Sequence, residues 1–550
     1  MKDLFSMTLG ELLDQTAEQY PTTEGAVFPE FGVRWTYAEF REECDRAARA
    51  FMALGVKPGD HVAIWTTNRP QWLVCQFALG KMGGVLVTVN TNYKLFELEY
   101  LLSQSDATTL ILIDRFKDSD YLGTVYELCP ELKTAEPGRL VSARLPKLRN
   151  VICLDEERHP GMFTWADLLD LAGQVSEEER EAGQASLHYD QVINIQYTSG
   201  TTGFPKGVML THRNIIADAK YIAECMKLTS KDRLCIPVPF FHCFGCVLGT
   251  LAAVTAGTTM VPLDVFSPKK VMETVQAERC TALHGVPTMF ITVLEHPDFA
   301  QYDFGSLRTG IMAGSPCPEE VMRQVIGRMQ MSEITIAYGL TETAPVMTQT
   351  RTDDSLERRV TTVGRALPGI EVRVVDPATN EEVPRGTVGE VVCRGFNVMK
   401  GYYKMPEATA QAIDEDGWCH SGDLGTMDEE GYLRITGRIK DMIIRGGENI
   451  YPREIEEYLY RHPKIADAQV VGVPSPVYGE EVMAFVRLKP GETATEAEVQ
   501  EFLRRRISRH KVPRYVRFVD EYPTTASGKI QKYRLREMAA AEARGSQAGT

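Results

Sequence analysis

Eleven residues, Tyr197-Thr198-Ser199-Gly200-Thr201-Thr202-Gly203-Phe204-Pro205-Lys206-Gly207, hold four Ser/Thr hydroxyls, three glycines and one lysine. These are the parts of a phosphate cradle. Glycine lets backbone N–H groups approach an anion, hydroxyls add neutral donors and an ammonium adds a point charge. The alternating Val192-Ile193-Asn194-Ile195-Gln196 ahead of it reads as a strand, which puts the cradle at a strand end. A P-loop needs a Ser or Thr directly after its lysine to hold magnesium. Lys206 instead stands between Pro205 and Gly207, so the segment points to nucleotide phosphates without naming the reaction. The competing reading is a flexible Ser/Thr/Gly surface loop.

Three other segments are polar where packing gives no reason for it. Tyr338-Gly339-Leu340-Thr341-Glu342-Thr343 follows a strand-like Ile334 to Ala337. Ser421-Gly422-Asp423 precedes a Gly-rich hairpin, and Pro523-Thr524-Thr525-Ala526-Ser527-Gly528-Lys529-Ile530 lies near the end of the chain. Each by itself reads equally well as a turn.

These segments need a scaffold, and the pattern supplies one. Thr8 and Glu11 form a capping-box pair ahead of an amphipathic helix through Leu9, Leu12, Leu13 and Ala17. Ala38 to Leu54 and Gln71 to Met82 are helix-like. His61 to Trp65, Gly84 to Asn90 and Thr109 to Asp114 are strand-like, which is α/β winding. Residues 127 to 190 are charged and irregular and read as a surface excursion, with the winding resuming at Val192. Beyond about 351, short strands with Gly turns predict a small β subdomain reaching about 436. A further boundary falls near Gly437 to Asp441. After it Pro452 suits a helical first turn, and Thr495 with Glu498 caps another helix.

Composition narrows the class. With 60 Lys+Arg against 75 Asp+Glu the net charge is −15, which argues against a sequence-independent nucleic-acid binder. An anionic substrate must then be held by local positive charge. The N-terminus lacks a charged segment followed by an apolar core, so no secretory signal is read and a cytoplasmic setting is expected. Leu234 to Leu263 carries no Lys, Arg, Asp or Glu, but three prolines, three glycines and four threonines interrupt it. Pro237 and Pro239 are the breaks that matter, since Pro262 falls at the far end, so it reads as a buried strand, a loop at Phe240 to Gly245, a core helix and a second strand, not as a membrane span. The 12 cysteines show no disulfide framework, and Cys243-Phe244-Gly245-Cys246 reads as two buried thiols in preference to a redox or zinc pair.

Taken in order, the segments Tyr197–Gly207, Ala337–Glu342, Gly417–Asp423, Thr436–Pro452 and Thr525–Lys532 closely resemble the adenylate-forming superfamily of acyl-CoA synthetases, luciferases and peptide-synthetase adenylation domains. The resemblance covers nearly the whole chain. It implies an α/β fold in which a large N-terminal domain, 1–439, combines two α/β sheets with a small β-barrel, and a small mobile α+β domain, 440–550, follows. It also implies a ligase that uses ATP and Mg2+ to turn a carboxylic acid into acyl-AMP, then passes the acyl group to coenzyme A. Carried over residue by residue, Thr198, Ser199, Gly200, Thr201, Thr202, Gly203 and Lys206 would hold the β- and γ-phosphates. Thr341 would touch the α-phosphate and Glu342 would hold the metal. Gly314, Ser315, Pro316, Ala337, Tyr338 and Gly339 would line the adenine slot, with Asp423 and Arg438 on the ribose. Lys529 would bridge carboxylate and α-phosphate, Lys440 would be the hinge, and Gly446 and Gly447 would leave room for the pantetheine arm.

Amino-acid-activating relatives place an Asp near His242 to pair with a substrate ammonium. Pro239-Phe240-Phe241-His242-Cys243-Phe244 has none, which disfavours an amino acid. The resemblance implies that His242 is a gate or orienting group of the acyl pocket, and the competing reading is a satisfied core histidine. Gly446 to Pro452, Gly285 to Phe290 and Ser527 to Lys532 look most like medium-chain fatty acyl-CoA ligases, with short branched, alicyclic and aryl acids still open. A stand-alone enzyme loading a carrier protein is the alternative, and a non-catalytic nucleotide binder the third reading. The basic run Arg504, Arg505, Arg506, Arg509, Lys511 and Arg514 could meet CoA phosphates, an anionic membrane surface or only water. A monomer or a homodimer fits equally.

Overall fold

The computed structural model describes residues 3–198, 205–475 and 477–547. Helix Leu9–Gln19 opens on the expected capping box: the Thr8 hydroxyl accepts from the Glu11 N–H (3.3 Å), and the Glu11 carboxylate accepts from the Thr8 N–H (2.8 Å). Such a cap stabilises a helix by about 1 kcal/mol.

Two large sheets follow from the winding. The first orders eight strands as Gly401–Tyr402, Lys206–Thr211, Val192–Thr198, Val85–Thr88, His61–Trp65, Thr109–Leu112, Asn150–Cys153 and Phe163–Thr164. Its strands from Val192–Thr198 onward are parallel, while Lys206–Thr211 and Gly401–Tyr402 run antiparallel at one edge. The second orders nine strands, with Glu333–Tyr338, Thr309–Ala313, Ala282–Gly285, Arg233–Ile236, Thr259–Pro262 and Glu24–Phe28 as its parallel centre. Central strands such as Thr109–Leu112 and Thr309–Ala313 are buried at every position, as parallel strands covered on both faces must be. In such sheets ligand clefts form outside the carboxyl ends of the strands. Thr198, Ala313 and Tyr338 all stand there.

Two expectations are corrected. The stretch 127–190 is no surface excursion: Asn150–Cys153 within it is a fully buried strand of the eight-stranded sheet, and Trp165–Asp170 and Glu177–Ala185 are helices. Its short apolar run, Val151-Ile152-Cys153-Leu154, is flanked by charge on both sides, which hid a one-strand period. The β subdomain is an open antiparallel sheet of Ile370–Val375, Gly389–Gly395, Cys419–Met427 and Leu433–Arg438 in linear order, not a closed barrel. It also begins later than 351, because Thr348–Gln349 and Arg365–Ala366 still pair at the edge of the nine-stranded sheet.

From Ile443 a separate five-stranded sheet forms around the long hairpin Ile465–Ser475 and Gly479–Leu488. Ile455, Leu459, Val499 and Leu503 pack on one of its faces, Leu535 and Ala539 on the other. All 12 cysteines are buried and free, Cys243 and Cys246 included.

Candidate active site

Thr198 and Lys206 are register partners across the hairpin of the first sheet. They therefore close the two ends of the Ser/Thr/Gly loop. Ser199, Gly200, Thr201, Thr202 and Gly203 lie outside the described residues. Because Lys206–Thr211 also pairs with Gly401–Tyr402, the Lys206 ammonium rests 4.8 Å from the centroid of the Tyr402 ring. Across that ring, the Tyr402 hydroxyl donates to Glu342 Oε1 at 2.7 Å. Burial and the Glu342 carboxylate push the Tyr402 phenol above its usual range, which keeps it a donor. The result is one line of groups, cation, ring and half-buried carboxylate, along the edge of the cleft.

One helix positions both partners of that contact. In His212–Cys225, Asn214 and Asp218 stand four residues apart on one face. Asn214 Nδ2 donates to the carbonyls of Phe396 and Val398, and Asp218 Oδ2 accepts from the Val346 N–H at 3.0 Å. The helix thus holds the segment just after Glu342 and the segment just before Tyr402, which meet again where the Met399 N–H donates to the Glu342 carbonyl (2.9 Å). Asp218 is fully buried, its other oxygen has no partner among the described residues, and burial drives its carboxyl well above the normal range.

The residues expected around the nucleoside come from neighbouring strand ends. Ala313 and Ala337 are register partners, so Gly314, Ser315 and Pro316 emerge beside Tyr338 and Gly339. Gly314 and Pro316 are exposed, as the rim of an open slot should be. The Tyr338 hydroxyl donates to Asp423 Oδ2 (2.9 Å), and Arg438 Nε meets Asp423 Oδ1 (2.9 Å). Asp423 and Arg438 face each other directly across paired strands. Asp423 is 4 % exposed, and burial raises its carboxyl despite the opposing pull of Arg438.

Lys529 comes from the last part of the chain and enters this cleft. Its Nζ lies 3.4 Å from His242 Nε2, and the neighbouring Gly528 carbonyl accepts from the Thr288 hydroxyl (2.9 Å). Gly314 makes the approach possible: at φ +90° a Cβ there would sit 3.2 Å from Lys529 Cε and 3.1 Å from Val286 Cγ1. His242 Nδ1 accepts the Phe244 N–H (3.1 Å), which assigns the ring proton to Nε2 in the neutral form. Burial and then the Lys529 charge hold the imidazole well below its usual pKa, and burial likewise lowers the lysine. An ammonium and an Nε2–H that point at the same space repel each other unless an anion lies between them. Cys243 Sγ and Thr341 Oγ1, 3.8 Å apart, form the adjoining wall.

The structure does not bring every candidate here. Gly446 and Gly447 form the exposed turn between Ile443–Arg445 and Glu448–Ile450, held by the Gly446 N–H to the Tyr478 carbonyl (2.8 Å). Lys440 is exposed in the turn Ile439–Asp441, and its carbonyl accepts from Arg536 (3.3 Å). The basic run is largely occupied locally: Arg505 bonds Glu501, Arg506 covers the Phe502 ring, and Lys511 bonds Glu454.

Comparison with known proteins places this geometry. Residues 13–403 match the AMP-binding enzyme family and residues 454–529 its C-terminal domain. The chain belongs to the AMP-binding enzyme family. YngI of Bacillus subtilis (strain 168), which bears acyl-CoA synthetase as a provisional name, is 58% identical over 98% of both chains. The mitochondrial medium-chain acyl-CoA ligase ACSF2 is 43% identical in Danio rerio and 40% in Homo sapiens, over 97% and 98% of this chain and 88% of each relative. Among solved structures, ATP-bound MatB from Rhodopseudomonas palustris superposes with a TM-score of 0.82 at 31% identity, covering 97% of this chain and 99% of that one. The anthranilate CoA ligase AuaEII, at 24% identity over 98% of both chains, shares the fold with a TM-score of 0.85. This AMP-binding enzyme is therefore an AMP-forming acid–thiol ligase of the adenylate-forming superfamily. Tyr402, Asn214 and Asp218 were not signalled by the sequence; for Tyr402 a hydroxyl opposite the phosphate-loop strand was the available clue.

Proposed function

We propose that the chain is an ATP-dependent acyl-CoA ligase acting on medium-chain fatty acids. Its two parts, 1–439 and 440–550, would turn about Lys440 between two half-reactions. The observation that carries this reading is the meeting of Lys529 with His242 at 3.4 Å, a cation from the C-terminal part facing the cleft at the strand ends of the N-terminal part.

In the first half-reaction a carboxylate oxygen attacks the α-phosphorus of ATP, and the bond to the β-phosphate breaks to release pyrophosphate. The Lys529 ammonium and the His242 Nε2–H donate to the oxygens on which charge builds, and their mutual repulsion is relieved by that anion. Thr341 lies beside the α-phosphate, and Thr198 and Lys206 with the intervening loop hold the departing end. Tyr338 and Asp423 with Arg438 fix the nucleoside, Asp423 accepting from the vicinal ribose hydroxyls. Glu342 suits magnesium, being a hard, half-buried carboxylate already oriented by the Tyr402 hydroxyl. The ion would neutralise phosphate charge when bound. Changing Tyr402 to Phe removes that orienting donor, and the Mg2+ concentration for half-maximal adenylate formation should rise at least tenfold, as a titration of pyrophosphate release would read.

In the second half-reaction the CoA thiol attacks the acyl carbonyl and AMP leaves. The exposed Gly446–Gly447 turn would then replace Lys529 at the cleft. Ile444, Val477 and Tyr478 around it are 49%, 77% and 44% exposed, an apolar face suited to a second docked position. The present contacts between the two parts include polar ones at the surface, such as Arg487 with Glu295 (3.0 Å), Arg461 with Glu319 (3.3 Å) and Arg453 to the Ile435 carbonyl (3.0 Å). Such contacts exchange easily with water.

The acid itself is read from the apolar side chains beside Gly314 and Gly528, namely Phe244, Val286 and Met289, and from the names of the ACSF2 relatives. A pyrophosphate-release screen over straight-chain, branched and aromatic acids tests it. Medium straight-chain acids should lead, with kcat/KM falling about tenfold for each two methylenes removed. A dicarboxylic or aryl acid preferred over all of them would contradict the reading.

A further inference from the structure

Away from the cleft, the first sheet brings a carboxylate, a thiol and an imidazole to one point. Thr109–Leu112 and Asn150–Cys153 are adjacent parallel strands with Leu112 and Cys153 in register. Asp114 follows the end of one, Cys153 ends the other, and His159 returns from the loop beyond. Asp114 Oδ1 lies 3.1 Å from Cys153 Sγ and 3.2 Å from His159 Nε2. The three ligand atoms all fall within 4.8 Å of one another, the one such grouping of His, Cys, Asp or Glu among the described residues.

We infer that Asp114, Cys153 and His159 form a three-ligand site for a zinc-class divalent ion. A tetrahedral zinc about 2.0 Å from oxygen and nitrogen and about 2.3 Å from sulfur separates its ligands by about 3.3 Å (O to N) and about 3.5 Å (O to S). The oxygen–nitrogen edge is already in place, and the oxygen–sulfur edge must open by only a few tenths of an ångström. A thiolate and a carboxylate with a neutral imidazole balance the charge of a divalent cation, and this mixed soft and borderline set favours zinc or cobalt over magnesium. On uptake the Cys153 thiol proton passes to solvent as the S–metal bond forms, so binding weakens toward acid.

The surroundings suit such a site. Cys153 forms the floor at 1 % exposure, while the His159 and Asp114 side chains, 13% and 29% exposed, form an open mouth. Asp155 fixes the Asp114 backbone by accepting its N–H (2.7 Å) and is itself held by Arg69 (2.6 Å). Three protein ligands leave a fourth position for water. Two strands, His61–Trp65 and Val85–Thr88, separate Thr109–Leu112 from the phosphate-loop strand, a gap of about 14 Å at ordinary strand spacing. This ion would therefore be distinct from one at Glu342.

The full-length chain, stripped with a chelator and titrated with Co2+ alone, is expected to develop a near-ultraviolet thiolate-to-cobalt band at one equivalent, which Zn2+ abolishes by displacement. Cys153→Ser should lack the band, and His159→Gln should bind Co2+ at least tenfold more weakly. Both should retain pyrophosphate release, since neither residue faces ATP. A native protein without the band, or a Cys153→Ser protein that keeps it, would overturn the assignment. If Cys153→Ser does not fold, the native titration and His159→Gln still decide, because His159 reaches the cluster from a loop.

Discussion

Replacing Lys529 with alanine should slow acyl-AMP formation at least a hundredfold while leaving most of the thioester half-reaction when acyl-AMP is supplied. The asymmetry follows from where Lys529 sits. Its ammonium is aimed at the space beside His242 only while the C-terminal part is docked by Thr288 to Gly528 and by the ion pairs beside it. In that position it would neutralise charge as it develops, and losing one such donor in a water-poor site costs about 3 kcal/mol in the barrier. In the proposed second position the lysine is elsewhere, so its loss costs little. Burial lowers the Lys529 pKa in the free enzyme, so kcat/KM for adenylate formation should fall on the alkaline side before an ordinary lysine would titrate. The native ammonium is lost as pH rises through that lowered value, and Lys529→Ala should lack this limb. Comparable losses in both half-reactions would remove the role assigned to Lys529.

Asp423→Ala should behave differently, lowering both half-reactions at least a hundredfold. AMP occupies the nucleoside slot through both steps, and Asp423 is the group at which Tyr338 and Arg438 converge. The carboxylate is almost fully buried, and a hydrogen bond to a charged acceptor there contributes about 1.5–3 kcal/mol. Alanine removes the acceptor for two ribose hydroxyls and leaves the Tyr338 hydroxyl without its partner. Asp423→Asn keeps the shape and one acceptor oxygen, so its loss should be smaller and should appear mainly in KM for ATP. Half-reaction assays on the same preparations separate the two residues: one defect confined to adenylation, the other common to both steps.

Much of the scaffold was legible because its signals are local. His61–Trp65 is a short apolar run of strand length between helix-like segments, and Thr8 with Glu11 declares a helix start within four residues. The cleft was legible as motifs, since Thr198, Lys206, Asp423 and Lys529 each stand in a short polar run that packing does not require. What escaped depends on pairing across long separations. Tyr402 acquires its meaning only when Gly401–Tyr402 becomes the edge strand beside Lys206–Thr211 and turns its hydroxyl to Glu342. Asn214 and Asp218 look like ordinary polar residues of an amphipathic helix until the loops they hold are seen. Asn150–Cys153 was missed for the opposite reason, being a strong apolar signal too short to stand out from its charged flanks. Lys529 read by itself as well as an exposed lysine in a Ser/Gly loop, its role being implied only by the family resemblance, and its direction, into the cleft and against His242, was not readable.

The most direct test is a single-turnover reaction of the purified chain with ATP, Mg2+ and octanoate, quenched first without and then with CoA. Without CoA, one pyrophosphate and one enzyme-bound octanoyl-AMP should form per active site, with little free AMP. Adding CoA should then release AMP and octanoyl-CoA in equal amounts. Formation of ADP and phosphate, or acyl-CoA appearing with no adenylate in the first phase, would contradict it.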